Sequence, residues 1–181
     1  MGLGLENAKV KGLKVIPKES AVQDPIDSLK QLLMNAKSSE VKLEILNELV
    51  TEAFKSNLNL AKDFASEGVN VATQSNNKKW LPKFYEMKGR MHANLVELDS
   101  ATYFFDKALK GYKEVNDKKG QATTYFKIGW VHKKKGDLEQ ALQVDLEALK
   151  MMESLGDKEG IAGAYNRVTE DLVRINFKFV N

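Results

Sequence analysis

Cysteine is absent from this 181-residue chain, which excludes disulfides, thiolate metal ligands and a cysteine nucleophile. Histidine occurs only twice, so few nucleophile–base pairs can be composed, and no GxSxG, HExxH or P-loop spacing is present. No apolar stretch approaches the roughly 18 residues that cross a bilayer. The opening MGLGLENAKVKGLKVIPKES lacks the continuous apolar core of a secretory signal, and there is no Asn-x-Ser/Thr sequon. The compartment stays open between cytoplasm and, were a signal sequence removed, periplasm. Charge is nearly balanced, with 28 basic and 25 acidic residues giving +3. No block of like charges marks a nucleic-acid tail, and so small an excess gives weak counterion release, which disfavours nucleic acid as the partner.

What the chain does have is a constant interval. Ala61, Ala101 and Ala141 keep it, as do Gly68, Ala108 and Ala148, and Tyr85, Tyr125 and Tyr165. The pairs Gly89/Gly129, His92/His132 and Leu109/Leu149 repeat it, and so do the polar joints at 76–79, 116–120 and 156–160. Repetition at this length, about 40 residues, means stacked supersecondary units that offer a long surface to a partner.

The spacing of apolar residues predicts an all-α protein. Residues 1–23 mix Gly, Lys and Pro without helical period and read as a flexible leader. Asp24-Pro25 then supplies an N-cap and a first-turn proline for a helix over 24–37. Three units follow, 41–80, 81–120 and 121–160, each a helix pair, and a partial fourth occupies 161–181. In the third, Gly136 supplies the left-handed turn that ends one helix, and Asp137 is expected to accept from the free N–H groups of the next. Gly129, Ala141 and Ala148 are small where helices cross closely. Only Ile175–Val180 reads as a possible strand.

Tyr125–x2–Ile128–Gly129–x2–His132, then Gly136-Asp137-Leu138-x2-Ala141 and Ala148-Leu149, resemble the tetratricopeptide repeat, as do Tyr85, Gly89, His92, Ala101, Phe105 and Ala108. The interval exceeds the usual 34, in a longer form similar to the tandem repeats of bacterial signalling proteins. The resemblance covers about residues 26–176. It implies a right-handed α-α superhelix of about three and a half helical hairpins, non-catalytic, binding a protein or peptide segment on its concave side without a cofactor. Departures are Leu49 at a small-residue position, Gly68 for alanine, Asp145 at an aromatic position and Thr169 for glycine.

The positions that the resemblance places on the concave face include Lys83, Arg90 and Asn94, then Phe126, Lys127, Trp130, Lys133 and Lys134, and finally Arg174. Aromatic and basic residues together suit a peptide groove. Glu86 and Arg90 stand where relatives that grip acidic chaperone tails carry other residues, so that activity is not supported. His92 and His132 occupy one repeat position, about 10 Å apart by helix packing distance, too far to share one zinc ion. No metal site is expected. Glu170-Asp171 is an acidic pair, but neighbours on a helix diverge and make no catalytic dyad. The fourth unit leaves apolar residues without a second helix to cover them. Val168, Leu172, Ile175, Phe177 and Phe179 are therefore expected to form a self-association face, giving a homodimer. Two other readings stay open: a piece of a nucleotide cyclase or histidine kinase whose catalytic domain lies outside this chain, and a purely structural oligomerisation module.

Overall fold

A computed structural model describes residues 24–180, and the side chains of those up to 178. The leader expected at 1–23 lies outside the described residues. Among them there are eight helices and no strand: α1 (Pro25–Asn35), α2 (Ser39–Ala53), α3 (Leu58–Gln74), α4 (Leu81–Asn94), α5 (Leu98–Glu114), α6 (Lys118–Lys135), α7 (Leu138–Leu155) and α8 (Lys158–Val180). Dense contacts run between each helix and the next, and beyond them α4 also meets α6. That is a stack of helix pairs, α2/α3, α4/α5 and α6/α7, with α1 against α2 and α8 against α7.

The joints explain why the interval is so regular. Asp24 Oδ1 accepts from Ile26 N at 3.0 Å and starts α1. Asn77, Asp117 and Asp157 stand one interval apart. They accept from the backbone N–H groups of Trp80, Gly120 and Gly160 at 3.1, 2.8 and 3.0 Å. Each thereby satisfies a donor that the first turn of a helix leaves free. The residues before them, Asn76, Asn116 and Gly156, all adopt positive φ, at 49°, 55° and 64°. Within units, the same left-handed turn falls on Val96 (φ 60°) and Gly136 (φ 87°). Asp137 differs from expectation. It occupies the N-cap position of α7 without a capping hydrogen bond, and its carboxylate lies 3.5 Å from His132 Nδ1 instead.

Small residues set the helix spacing as the sequence indicates. Ala61, Ala101, Ala141, Ala108 and Ala148 are all fully buried. A Cβ on Gly89 would lie 2.5 Å from the Phe105 ring, and one on Gly129 would collide with Asp145 Oδ1. Both glycines are therefore there to let α4 meet α5, and α6 meet α7, at close range.

The C-terminal segment corrects the strand reading, because α8 continues helical through Val180. Val173 and Phe177 are four residues apart and share a helical face. Extending a helix adds one hydrogen bond per residue fixed, whereas a lone strand has no partner to pair with.

Candidate functional site

The first helices of successive units, α4, α6 and α8, line one side of the stack and form a groove. Its first part, about 470 Å³, is bordered by Arg90, Asn94, Phe126, Lys127, Trp130 and Lys134, with Val96 at the rim. An adjoining part, about 540 Å³, continues past Trp130, Lys133 and Lys134 to Asn166, Glu170 and Arg174. Arg167 borders both parts. Sequence reasoning missed this residue, although it follows Lys127 by the same interval that located the others.

Aromatic rings and cations are paired along the groove. The Arg90 guanidinium lies 4.8 Å from the Phe54 ring centre, Lys134 Nζ 5.2 Å from Trp130, and Arg167 5.0 Å from Phe126. Lys127 instead bonds Glu86 at 3.0 Å, and Glu86 accepts a 2.9 Å hydrogen bond from the Tyr112 hydroxyl. Burial, together with the Glu86 carboxylate, pushes the Tyr112 phenol far above its ordinary range, so it stays a donor. Such a lining presents aromatic rings, hydrogen-bond donors and positive charge along one surface.

Residues 85–154, from α4 to the end of α7, match the family model described as tetratricopeptide repeat. The matched residues are tetratricopeptide repeats. No curated protein matches this chain. Among solved structures, this repeat protein is similar to aspartyl phosphate phosphatase F from Bacillus subtilis, with a TM-score of 0.78 and 14% identity over 83% of this chain and 40% of that one. It is also similar to RapI in its apo form, at 0.74 and 14% over 86% and 44%. A signal transduction ATPase with numerous domains from Pyrococcus horikoshii, which carries a tetratricopeptide repeat sensor, gives 0.73 and 17% over 84% and 24%. The chain thus spans less than half the length of each. The likeness shows the fold.

Of the concave-face assignments, Lys133 takes a different role and Lys83 falls outside the groove. Lys133 borders the second part of the groove, but its charge is engaged inside the stack. Its side chain is 8% exposed, and its ammonium lies 3.0 Å from Asp145 and 2.9 Å from Asp171, both carboxylates being fully buried. This triad ties α6, α7 and α8 together. Burial pushes the Asp145 carboxyl up to about 6, even though Lys133 opposes the shift. Lys83 is exposed but lies off the groove, 4.3 Å over the Trp80 ring. Arg174 borders the second part, its guanidinium bonded to Glu170 at 2.8 Å.

The proposed self-association face also changes. Val168 is 8% exposed and packs with Leu149 and Ala164, so it belongs to the core. Leu172 and Phe177 are exposed and Ile175 is half-buried, while the side chain of Phe179 lies outside the described residues. The two histidines brace the ends of α4 and α6. His92 Nδ1 bonds Glu97 and the ring stacks on Phe104 at 5.1 Å, while His132 faces Asp137. Among the described residues no group of three His, Cys, Asp or Glu side chains could hold a metal ion, and no helix is long and apolar enough to cross a membrane.

Proposed function

We propose that this repeat protein is a non-catalytic scaffold that binds a protein or peptide segment in the groove over α4, α6 and α8, as the interaction or sensory part of a larger bacterial signalling protein. The observation that carries this is the lining itself, where Trp130 and Phe126 stand beside Arg90, Lys134 and Arg167 along one continuous depression. Aromatic residues and arginine are the usual anchors of protein interfaces. The likeness to a phosphatase of aspartyl phosphate and to an ATPase with a repeat sensor supports the signalling context. It also keeps open that a catalytic domain belongs to the same polypeptide.

The test is affinity capture with the wild type beside the double variant Trp130→Ala and Lys134→Glu. Partner recovery should fall; because Trp130 also packs against the core around Phe105 and Ile128, circular dichroism must show the fold retained, and Lys134→Glu alone, at an exposed position, should lower recovery with melting near wild type. Recovery of the same proteins by both would sink the groove as the binding surface.

Self-association through α8 is a second reading, favoured by Leu172 at 52% and Val173 at 63% exposed on the outer side of that helix. Light scattering should then give a dimer mass that reverts to monomer in Leu172→Glu. A monomer mass for the wild type at high concentration would end it.

A further inference from the structure

The groove carries a charge that the rest of the chain does not match. The whole sequence is close to balance, yet the first part of the groove is bordered by Arg90, Lys127, Lys134 and Arg167 and by no carboxylate. Lys127 is neutralised by Glu86. One interval later the same reach is made by Arg167, but the position of Glu86 is taken by Phe126, so the guanidinium rests on a ring instead of a carboxylate. Among the described residues no carboxylate lies within ion-pair distance of Arg90, Lys134 or Arg167.

These three cations come from three different helices and face one depression. Each sits over an aromatic face, a weaker partner than a carboxylate that accepts charge-assisted hydrogen bonds. At the rim, Val96 is 69% exposed and holds φ at 60°, a conformation that is strained for a β-branched residue. The equivalent position one unit on is Gly136, which adopts the same turn without a Cβ. An apolar side chain is thus displayed at the edge of a basic groove, at the expense of local strain.

We infer that the groove receives an acidic peptide segment. Its Asp or Glu side chains meet Arg90, Lys134 and Arg167, and an apolar side chain rests against Val96 and the edge of Trp130. This rests on the scaffold proposal above and specifies the chemistry of its partner. A run of carboxylates matches cations spread over three helices. Single-stranded nucleic acid fits less well, because it depends on open aromatic faces for base stacking, and here the faces of Phe126 and Trp130 carry the cations.

The experiment measures fluorescence anisotropy of short labelled peptides with the full chain. The probes are a Glu/Asp-rich peptide containing two leucines, its Gln/Asn counterpart, and an oligothymidylate of equal charge. The acidic peptide should bind best and weaken with added salt. Arg90→Glu with Lys134→Glu should weaken it by about tenfold or more, as expected for losing hydrogen bonds to charged groups. Arg167→Gln should weaken it with the fold retained, and Lys150→Glu on the exposed side of α7 should leave it unchanged. Equal binding of the Gln/Asn peptide, or tighter binding of the oligothymidylate, would overturn the inference. A random peptide library selected on wild type and counter-selected on the double charge-reversal variant separates the two proposals. Groove-dependent peptides without acidic enrichment retain the scaffold and refute the acidic partner; no groove-dependent peptides refute both.

Discussion

Removing the Lys133 amine while leaving its two carboxylates in place should be among the most damaging single changes this protein can suffer. The reason lies in three equivalent layers, set one repeat interval apart. Ala53, Ala65 and Met91 form the first, all fully buried in one core cluster. Ala93, Phe105 and Val131 form the second, again buried together. Lys133, Asp145 and Asp171 form the third, where two fully buried carboxylates flank one ammonium. Lys133→Ala leaves those carboxylates without their cation, and breaking a buried pair from one side costs about 3–5 kcal/mol. With a urea m-value of about 1–3 kcal/mol/M, the midpoint should fall by roughly 2 M. The triple variant Lys133→Ala, Asp145→Phe and Asp171→Val installs the side chains of the second layer. Its phenyl ring meets Gly129 as Phe105 meets Gly89, and the added ring offsets the lost lysine stem. Replacing a buried ion cluster by apolar groups is neutral or stabilising by about 1–4 kcal/mol. Urea unfolding followed by circular dichroism on wild type, single and triple variants decides the matter. A single variant within about 0.5 kcal/mol of wild type, or a triple no better than the single, would refute the layer equivalence.

The same triad sets a pH dependence. Asp145 titrates near 6 when folded because burial disfavours its charge, and lower, near 3.8, when unfolded. Between those values the folded state keeps a proton the unfolded chain has lost, so this carboxyl's contribution to stability falls as pH rises through about 4 to 6, by on the order of 2–3 kcal/mol. Asp145→Asn should flatten the unfolding midpoint against pH over that window, and an unaltered slope would contradict it. Val96→Gly should raise stability by about 1 kcal/mol by relieving the left-handed turn, read as a higher melting temperature; a lower one would show the strain to be compensated. Ala141→Leu should cost about 1–3 kcal/mol through overpacking at a fully buried helix crossing, and an unchanged urea midpoint would contradict the helix register.

Helix order and seam were legible because they depend on side-chain size and cap chemistry, which recur with the interval. Gly129, Ala141 and Gly136 could be assigned from that alone. The C-terminal segment was not, since Phe177, Lys178 and Phe179 alternate like a strand over too few residues to outweigh a helix already propagating. Lys133 could not be told from Lys134 by composition: both border the groove, but one residue of helical rotation brings the Lys133 ammonium to two buried carboxylates and leaves Lys134 exposed. The signal that distinguishes them was present, because Asp145 and Asp171 both occupy positions that hold Phe105 and Val131 one unit earlier, and two buried acids require a cation. Arg167 was readable by the same arithmetic from Lys127. The pairing of cations with rings was not, as it depends on side chains from different helices.

Contacts confined largely to consecutive helices give the molecule the mechanics of a coil spring. Few cross-ties link distant turns, so small rotations at the five left-handed joints add up along the axis. Its curvature is therefore soft, and an occupant that draws α4, α6 and α8 together changes the pitch of the whole stack, which makes end-to-end length in solution scattering a direct gauge of occupancy.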